Sequence, residues 1–283
     1  MTRNRSIPYW FLMPALILFI IFTIYPILSS LILSFEKLDQ GTYVFAGFAN
    51  YVRLFHDTVF YKALENTFII LVIQVPIMLI LALILASALN SKLLKLRGFF
   101  RVSFFMPAVT SLVAYSILFS ILLQDNGLIN HLLGYVGIKP VHWLTTAIGA
   151  KVSIILAMTW RWTGYNMVIY LAAMQNIPEE LYEAASLDGA GKFRQFINVT
   201  VPQLKPVILF TAIISTISTL QLFDEPYNLT KGGPGDATMT LGLYIYQNGF
   251  KYFDFGYASA IAYIVVIIVA ILSYVQFKVT GDE

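Results

Sequence analysis

The chain has 283 residues, a formal net charge of +3 and no cysteine, and 58% of its residues are hydrophobic while only 12% are charged. A soluble domain carries about 25% charged residues, so this chain has too few to cover the surface of a soluble protein of its length. An intrinsically disordered chain is excluded by the high hydrophobicity, and a basic nucleic-acid-binding protein by the small net charge. The class that remains is a polytopic helical membrane protein.

A helix needs about 20 mostly apolar residues to cross a bilayer. The uncharged stretches predict an all-α protein with six transmembrane helices, at about residues 9–35, 67–90, 102–124, 152–175, 206–224 and 255–277. A β-barrel is excluded, because its strands alternate apolar and polar residues instead of forming continuous apolar runs. The first stretch is expected to be a span and not a cleaved signal peptide, because its apolar core exceeds the roughly 7–15 residues typical of one.

The orientation follows from the basic residues of the short loops, which favour the cytoplasmic side. With the N-terminus inside, segments 1–8, 91–101, 176–205 and 278–283 carry ten Lys and Arg residues in 55 positions. The opposite segments carry seven in 88 positions. Lys92, Lys95, Arg97 and Arg101 supply most of the difference, and segment 1–8 adds Arg3 and Arg5. Both termini are therefore predicted to be cytoplasmic.

The inner loop at residues 176–205 reads NIPEELYEAASLDGAGKFRQFINVTVPQLK. Pro178 suits a helix start, and Glu179 and Glu180 suit the positive end of the helix dipole. Gly189 and Gly191 are expected to end this short helix. A second helical piece is predicted over 192–199. The pattern alone also fits an ordinary amphipathic connector at the membrane surface.

This loop resembles the "EAA" signature of binding-protein-dependent ABC importer permeases. The signature falls on Glu183, Ala184, Ala185, Gly189, Val199, Val201 and Pro202, with the two valines replacing the usual Ile and Leu. The surrounding IPEELYEAASLDGA is similar to the sugar-importer branch, as are FDEPYNLTKGGP from Phe223 and GYASAIAY from Gly256. The resemblance covers most of the chain and implies one permease domain over residues 1–283 with a type I importer fold.

The resemblance also implies that the chain lies in the inner (cytoplasmic) membrane, in contact with lipid, and that it works with partner proteins. The partners are a homologous second permease, two ATPase subunits, an extracytoplasmic solute-binding protein and a sugar. Glu183, Ala184, Ala185, Asp188 and Gly189 are implied to dock on the ATPase. No P-loop, G-x-x-x-x-G-K-[ST], occurs in the sequence. ATP and Mg²⁺ are therefore expected on the partner ATPase, and this chain is expected to be no enzyme, with no cofactor and no metal site of its own.

Arg161 lies near the middle of the fourth predicted span, where a charge costs about 2.5–3.5 kcal/mol and normally faces a polar cavity or a partner. Its neighbours Trp162 and Tyr165 suit a sugar ring, and Arg161 and Tyr165 are spaced i and i+4. The fifth span carries a stripe of Ser215, Ser218, Thr219 and Leu222. The resemblance implies a substrate pocket at these seven residues. Two alternatives stay open, namely an ion pair of Arg161 with a partner subunit and helix packing for the stripe.

Three other functions agree less well with the sequence, and one stays open. An ion-coupled carrier uses intramembrane carboxylates, and the uncharged cores contain no Asp or Glu. A membrane-embedded enzyme lacks a catalytic constellation, because His56, His131 and His142 all fall in outer loops without metal spacing. An ABC permease for peptides or amino acids is disfavoured by the resemblance. A permease for glycerol-3-phosphate or an acidic sugar stays open.

Overall fold

The computed structural model describes residues 7–39, 41–91 and 94–281. Three of the basic residues used to orient the chain, Arg3, Arg5 and Lys92, lie outside these ranges. The helices run as α1 Ile7–Phe19, α2 Tyr25–Leu33, α3 Ala49–Leu54, α4 Thr58–Asn90, α5 Arg97–Val109, α6 Leu112–Leu122, α7 Leu128–Tyr135, α8 Ala147–Met174, α9 Glu179–Leu187, α10 Lys192–Gln195, α11 Val201–Leu220, α12 Leu241–Tyr246 and α13 Phe255–Gly281. Five-residue π-helical segments occupy Ile20–Ile24, Phe196–Thr200, Pro226–Thr230 and Gln247–Lys251, and the strands are β1 Glu36–Asp39 and β2 Thr42–Phe45.

The expectation of a mostly helical protein with several apolar helices is confirmed. Within the described ranges, four helical stretches are long and apolar enough to cross a membrane, namely Leu12–Leu33, Thr58–Asn90, Lys192–Leu220 and Phe255–Val279. A fifth arises if α5 and α6, which meet at an angle of 99°, form one span. Helix α8 is 28 residues long but is not among them. The number six and the orientation of the termini stay predictions.

The bend between α5 and α6 falls inside the stretch predicted as the third span, 102–124. Pro107 lies near the end of α5, and Thr110 adopts an extended conformation with ψ 149°. The Thr110 hydroxyl donates to the Pro107 carbonyl over 2.7 Å. The extended residue interrupts the run of helical dihedral angles, so the apolar stretch becomes two helices.

The described residues divide into two compact units. The first comprises the described chain up to Thr58 together with Tyr244–Val266. Its two strands pair antiparallel with Glu36 opposite Phe45, a hairpin that the prediction of an all-α protein did not include. The Asp57 carboxylate accepts hydrogen bonds of 2.5 Å from the hydroxyls of Tyr244 and Tyr257. Burial and the hydrogen bond to Asp57 raise the pKa of Tyr244 to about 12, so its hydroxyl keeps the proton that it donates.

The second unit comprises Val59–Leu243 and the described residues from Ile267 onward. Its core joins α4, α8 and α11, and its fully buried members include Met78, Ala82 and Ala86 of α4 and Met167 and Tyr170 of α8. Small residues at this interface let the helix backbones approach one another closely. The same three helices enclose the cavity described below.

The segment that follows α11 is fixed to the start of α4 by side-chain to backbone hydrogen bonds. The Asn66 amide donates to the carbonyls of Asp236 and Met239 over 2.8 and 2.9 Å. The Thr67 hydroxyl accepts from the Leu241 N–H at 3.0 Å. Both side chains are buried. These bonds satisfy backbone groups of an irregular segment that would otherwise be costly to bury.

Candidate functional site

A cavity of about 280 Å³ lies between α4, α8 and α11 in the second unit. Its walls combine aliphatic side chains with amides, hydroxyls and three aromatic side chains, the mixture typical of small-molecule sites. The lining residues are Gln74, Met78, Met158, Trp162, Tyr165, Asn166, Ile169, Phe210, Thr211, Ile214, Ser215, Ser218 and Thr219.

Helical spacing explains why these residues meet. On α8 the lining residues follow Met158 at intervals of four, seven, eight and eleven positions, which is one face of an α-helix. On α11 the hydroxyl residues Ser215, Ser218 and Thr219 recur at i, i+3 and i+4. The rings of Trp162 and Tyr165 meet edge to face, with centroids 5.9 Å apart and an angle of 88°.

Five of the seven residues predicted from the sequence line this one cavity, namely Trp162, Tyr165, Ser215, Ser218 and Thr219. Leu222 does not line it and is buried instead in an apolar cluster with Ile70 and Tyr115. The structure thus brings the aromatic pair of α8 and the hydroxyl stripe of α11 together. Their role in binding a substrate stays a prediction.

Arg161 does not line the cavity, although we predicted from the sequence that it shares the substrate pocket with Tyr165. Its side chain is 6% exposed, and its Cζ lies 4.7 Å from the ring centroid of Tyr115 and 5.3 Å from that of Trp162. Both distances are within the range of cation–π attraction. Within the described part of the chain, the Nε and Nη1 atoms of Arg161 are buried without a hydrogen-bond partner.

Tyr115 connects this cation to an acidic residue. Its hydroxyl donates a short hydrogen bond to the Oε1 atom of Glu225, which lies just beyond α11 and is 3% exposed. Burial raises the pKa of the Glu225 carboxyl, while the hydrogen bond from Tyr115 and the positive charge of Arg161 act in the opposite direction. From the sequence, the acidic partner expected for Arg161 was a residue of another subunit, because Glu225 falls outside the predicted spans.

Sequence reasoning missed three polar residues of the cavity, one each on α4, α8 and α11. The Gln74 amide, 1% exposed, donates to the Met78 sulfur at 3.3 Å. The Asn166 amide donates to the Trp162 carbonyl at 3.0 Å. Thr211 shares a 2.6 Å hydrogen bond with Tyr170. An uncharged amide in the middle of an apolar stretch was the available signal for Gln74.

The loop that carries the EAA signature forms two short helices. Helix α9 ends in a Schellman motif, in which the Gly189 N–H donates to Ser186 and the Ala190 N–H donates to Ala185. Gly189 has a φ of +78°, which a residue without a side chain adopts at little cost. Glu183, Ala184, Asp188 and Gly189 are exposed and Ala185 is partly exposed. Helix α10 starts after Gly191, as the sequence predicted.

Two contacts brace this loop. The buried Gln195 amide donates to the Ser186 hydroxyl at 2.7 Å and to the Ala190 carbonyl at 3.0 Å. The Tyr182 hydroxyl lies 2.9 Å from that of Thr200, at the start of α11. Leu187 and Phe193 remain 90% and 78% exposed. The loop therefore presents a firmly held surface with exposed apolar side chains, which suits docking to another protein. Among the described residues, no group of three His, Cys, Asp or Glu side chains could hold a metal ion.

The sequence profile described as binding-protein-dependent transport system inner membrane component matches residues 44–279. The chain is 52% identical over 278 residues to the lactose transport system permease protein LacF of Rhizobium radiobacter, covering 96% of this chain and 93% of LacF. It is 36% identical to the arabinooligosaccharides transport system permease protein AraP of Bacillus subtilis, covering 99% and 90%. A crystal structure of a bacterial ABC transporter that imports the acidic polysaccharide alginate contains a chain of the same fold, with a TM-score of 0.86, 23% identity and coverage of 98% and 96%.

Proposed function

Because the chain belongs to the family of inner membrane components of binding-protein-dependent transport systems, we propose that it is the membrane-spanning permease subunit of an ATP-driven sugar importer. The names of its relatives support a sugar, since LacF belongs to a lactose system and AraP to a system for arabinooligosaccharides. An oligosaccharide is the substrate class that agrees with both.

The cavity between α4, α8 and α11 is the observation that carries the proposal. Trp162 and Tyr165 offer aromatic faces on which the C–H faces of a sugar ring can stack, and Ser215, Ser218 and Thr219 offer hydroxyls that donate and accept hydrogen bonds. A sugar has both kinds of surface. Arg161 and Leu222, which do not line the cavity, are left out of this proposed site.

The proposed membrane arrangement has six spans. Four are the apolar helices described above, the bent pair α5 and α6 forms the third in chain order, and α8 forms the fourth. Arg161 of α8 is buried within the second unit, as are Ser153, Thr163 and Asn166, which supports a span shielded from lipid. The excess of basic residues in the inner loops supports cytoplasmic termini.

The loop Glu179–Thr200 is the proposed coupling surface. Its Glu183, Ala184, Ala185, Asp188 and Gly189 would dock on an ATPase subunit that binds ATP and Mg²⁺. The hydrogen bond between Tyr182 and Thr200 braces the loop to the start of α11 and would transmit closure of the ATPases to the cavity wall. The transporter would also contain a second permease and a solute-binding protein. Alternating access follows, because ATP binding and hydrolysis would shift the population between outward-open and inward-open states.

A permease for an acidic sugar or for glycerol-3-phosphate is the second candidate, and its support is the Arg161 guanidinium, whose Cζ lies 5.3 Å from the ring centroid of the cavity residue Trp162. An ion-coupled carrier is disfavoured, because no Asp or Glu lies among the described residues that line the cavity.

ATP hydrolysis by the purified transporter tests the proposed function. The assembled complex should hydrolyse ATP faster when sugar-loaded binding protein is added, and this chain purified alone should not hydrolyse ATP. An assembled complex that hydrolyses ATP at one rate with and without loaded binding protein would contradict the proposal.

A further inference from the structure

The cavity wall carries no formal charge. Among the described residues that line it there is no Lys, Arg, His, Asp or Glu. Its polar groups are amides and hydroxyls, such as Gln74, Asn166 and Ser218, which can both donate and accept. Such groups match the hydroxyls of a sugar but cannot neutralise a carboxylate or phosphate, and burying an unpaired charge is costly.

The nearest cation in sequence, Arg161, does not line the cavity. It is one position before Trp162 and four before Tyr165, so it lies at the edge of the face of α8 that forms the wall. There the guanidinium lies over the ring of Tyr115, with its Cζ 4.7 Å from the ring centroid. Tyr115 is itself fixed, because it is 2% exposed and its hydroxyl donates to Glu225.

Nevertheless, Arg161 remains close to the cavity. Its Cζ lies 5.3 Å from the ring centroid of Trp162, whose ring forms part of the wall. Its Nε and Nη1 atoms make no hydrogen bond within the described residues. Stacking on the rings of Tyr115 and Trp162, not a network of hydrogen bonds, therefore holds the guanidinium where it is.

We propose that the cavity selects an uncharged sugar, and that Tyr115, held by Glu225, is the positioning residue that keeps the Arg161 guanidinium out of it. The inference rests on the proposed function and narrows its substrate class. Removing the Tyr115 ring frees the guanidinium to turn toward the cavity, where it would pair with an anionic sugar.

The test measures binding of two matched sugars to the assembled transporter, purified without binding protein so that the permease alone selects. The probes are lactose and the same disaccharide with C6 of its galactose oxidised to a carboxylate, titrated by saturation-transfer NMR. The wild type should bind lactose at least about tenfold more tightly than the acid. Tyr115→Leu should reduce or reverse this ratio.

Two variants show whether the effect passes through Arg161. Tyr115→Phe keeps the ring and should keep most of the preference for lactose. The double variant Tyr115→Leu with Arg161→Met should restore the preference, because no guanidinium is left to release. Should Tyr115→Leu fail to assemble, Glu225→Ala removes the acceptor of the Tyr115 hydroxyl and should change the ratio in the same direction by a smaller factor.

The inference is overturned if the wild type binds the acid as tightly as lactose. It is also overturned if Tyr115→Leu, or Glu225→Ala in its place, keeps the wild-type ratio of the two affinities, or if the double variant keeps the ratio of Tyr115→Leu. Those results leave the importer assignment intact as long as loaded binding protein still stimulates ATP hydrolysis. If neither sugar binds the wild type, the cavity is not a sugar site and the inference falls together with that part of the proposed function.

Discussion

Gly164 of α8 lies directly against the Phe104 carbonyl of α5, so close that a Cβ at Gly164 would lie 1.7 Å from that oxygen. Gly164→Ala should therefore force the two backbones apart. Overpacking costs about 1–3 kcal/mol, and a backbone neighbour cannot yield as a flexible side chain can. The thermal midpoint of the purified transporter should fall. Gly134→Ala is the matched control, because its Cβ would meet nothing within 4 Å. Equal midpoints for the two variants would contradict the close packing.

Trp162→Ala should raise the sugar concentration that gives half-maximal uptake about tenfold, which corresponds to about 1.4 kcal/mol. The substitution removes an aromatic wall of the cavity. Trp143→Ala is the control, since Trp143 precedes α8 and does not line the cavity. Uptake assays on membranes with equal amounts of assembled transporter measure the difference. A larger rise for Trp143→Ala than for Trp162→Ala would contradict the role of the Trp162 ring in binding the sugar.

Gly189→Asp should abolish transport while the protein still inserts into the membrane. A Cβ at Gly189 would meet nothing within 4 Å, so the fold tolerates the side chain apart from the cost of about 1–2 kcal/mol for a left-handed conformation. The new charge would protrude from the proposed coupling surface. Co-purification of the ATPase and sugar uptake are the measurements.

Gly98→Asp provides the control for that substitution. It adds the same charge at another open glycine, in the first turn of α5, where an acidic residue suits the helix dipole. Uptake should stay near the wild-type rate. Full transport by Gly189→Asp would remove the coupling role from this loop.

Glu225 predicts a pH dependence of stability. Burial raises the pKa of its carboxyl above the ordinary value of 4.5, so the folded protein holds this proton more tightly than the unfolded chain. The contribution of this carboxyl to the free energy of unfolding is therefore fully present below about pH 4.5 and is lost as the pH rises through the raised pKa. Glu225→Gln should flatten this part of the profile of thermal midpoint against pH. A profile for the variant that matches the wild type would show that Glu225 does not titrate in this way.

The sequence predicted those parts of the fold and site that depend on local signals. The EAA loop is one, because Gly189 and Gly191 end and separate its helices through backbone conformation alone. The stripe of Ser215, Ser218 and Thr219 is another, since helical spacing fixes which face it occupies.

Features that depend on contacts distant in sequence were not predictable. The stacking of the Arg161 side chain on Tyr115, which donates to Glu225, joins residues that are 46 and 64 positions away from Arg161. The contribution of Gln74 to the cavity depends on how α4 packs against α8.

The β1–β2 hairpin, in contrast, had a local signal that the prediction did not use. It is the run of Thr42–Phe45 after Gly41, since β-branched and aromatic residues after a turn favour a strand.

Uptake by reconstituted vesicles tests the central claim most directly. Vesicles that contain this chain with its sister permease and ATPase, and that enclose ATP, should accumulate labelled lactose or a related oligosaccharide when loaded binding protein is outside. Accumulation should stop when ATP or the ATPase is omitted. Accumulation driven by a proton or sodium gradient in vesicles that contain this chain alone would contradict the account.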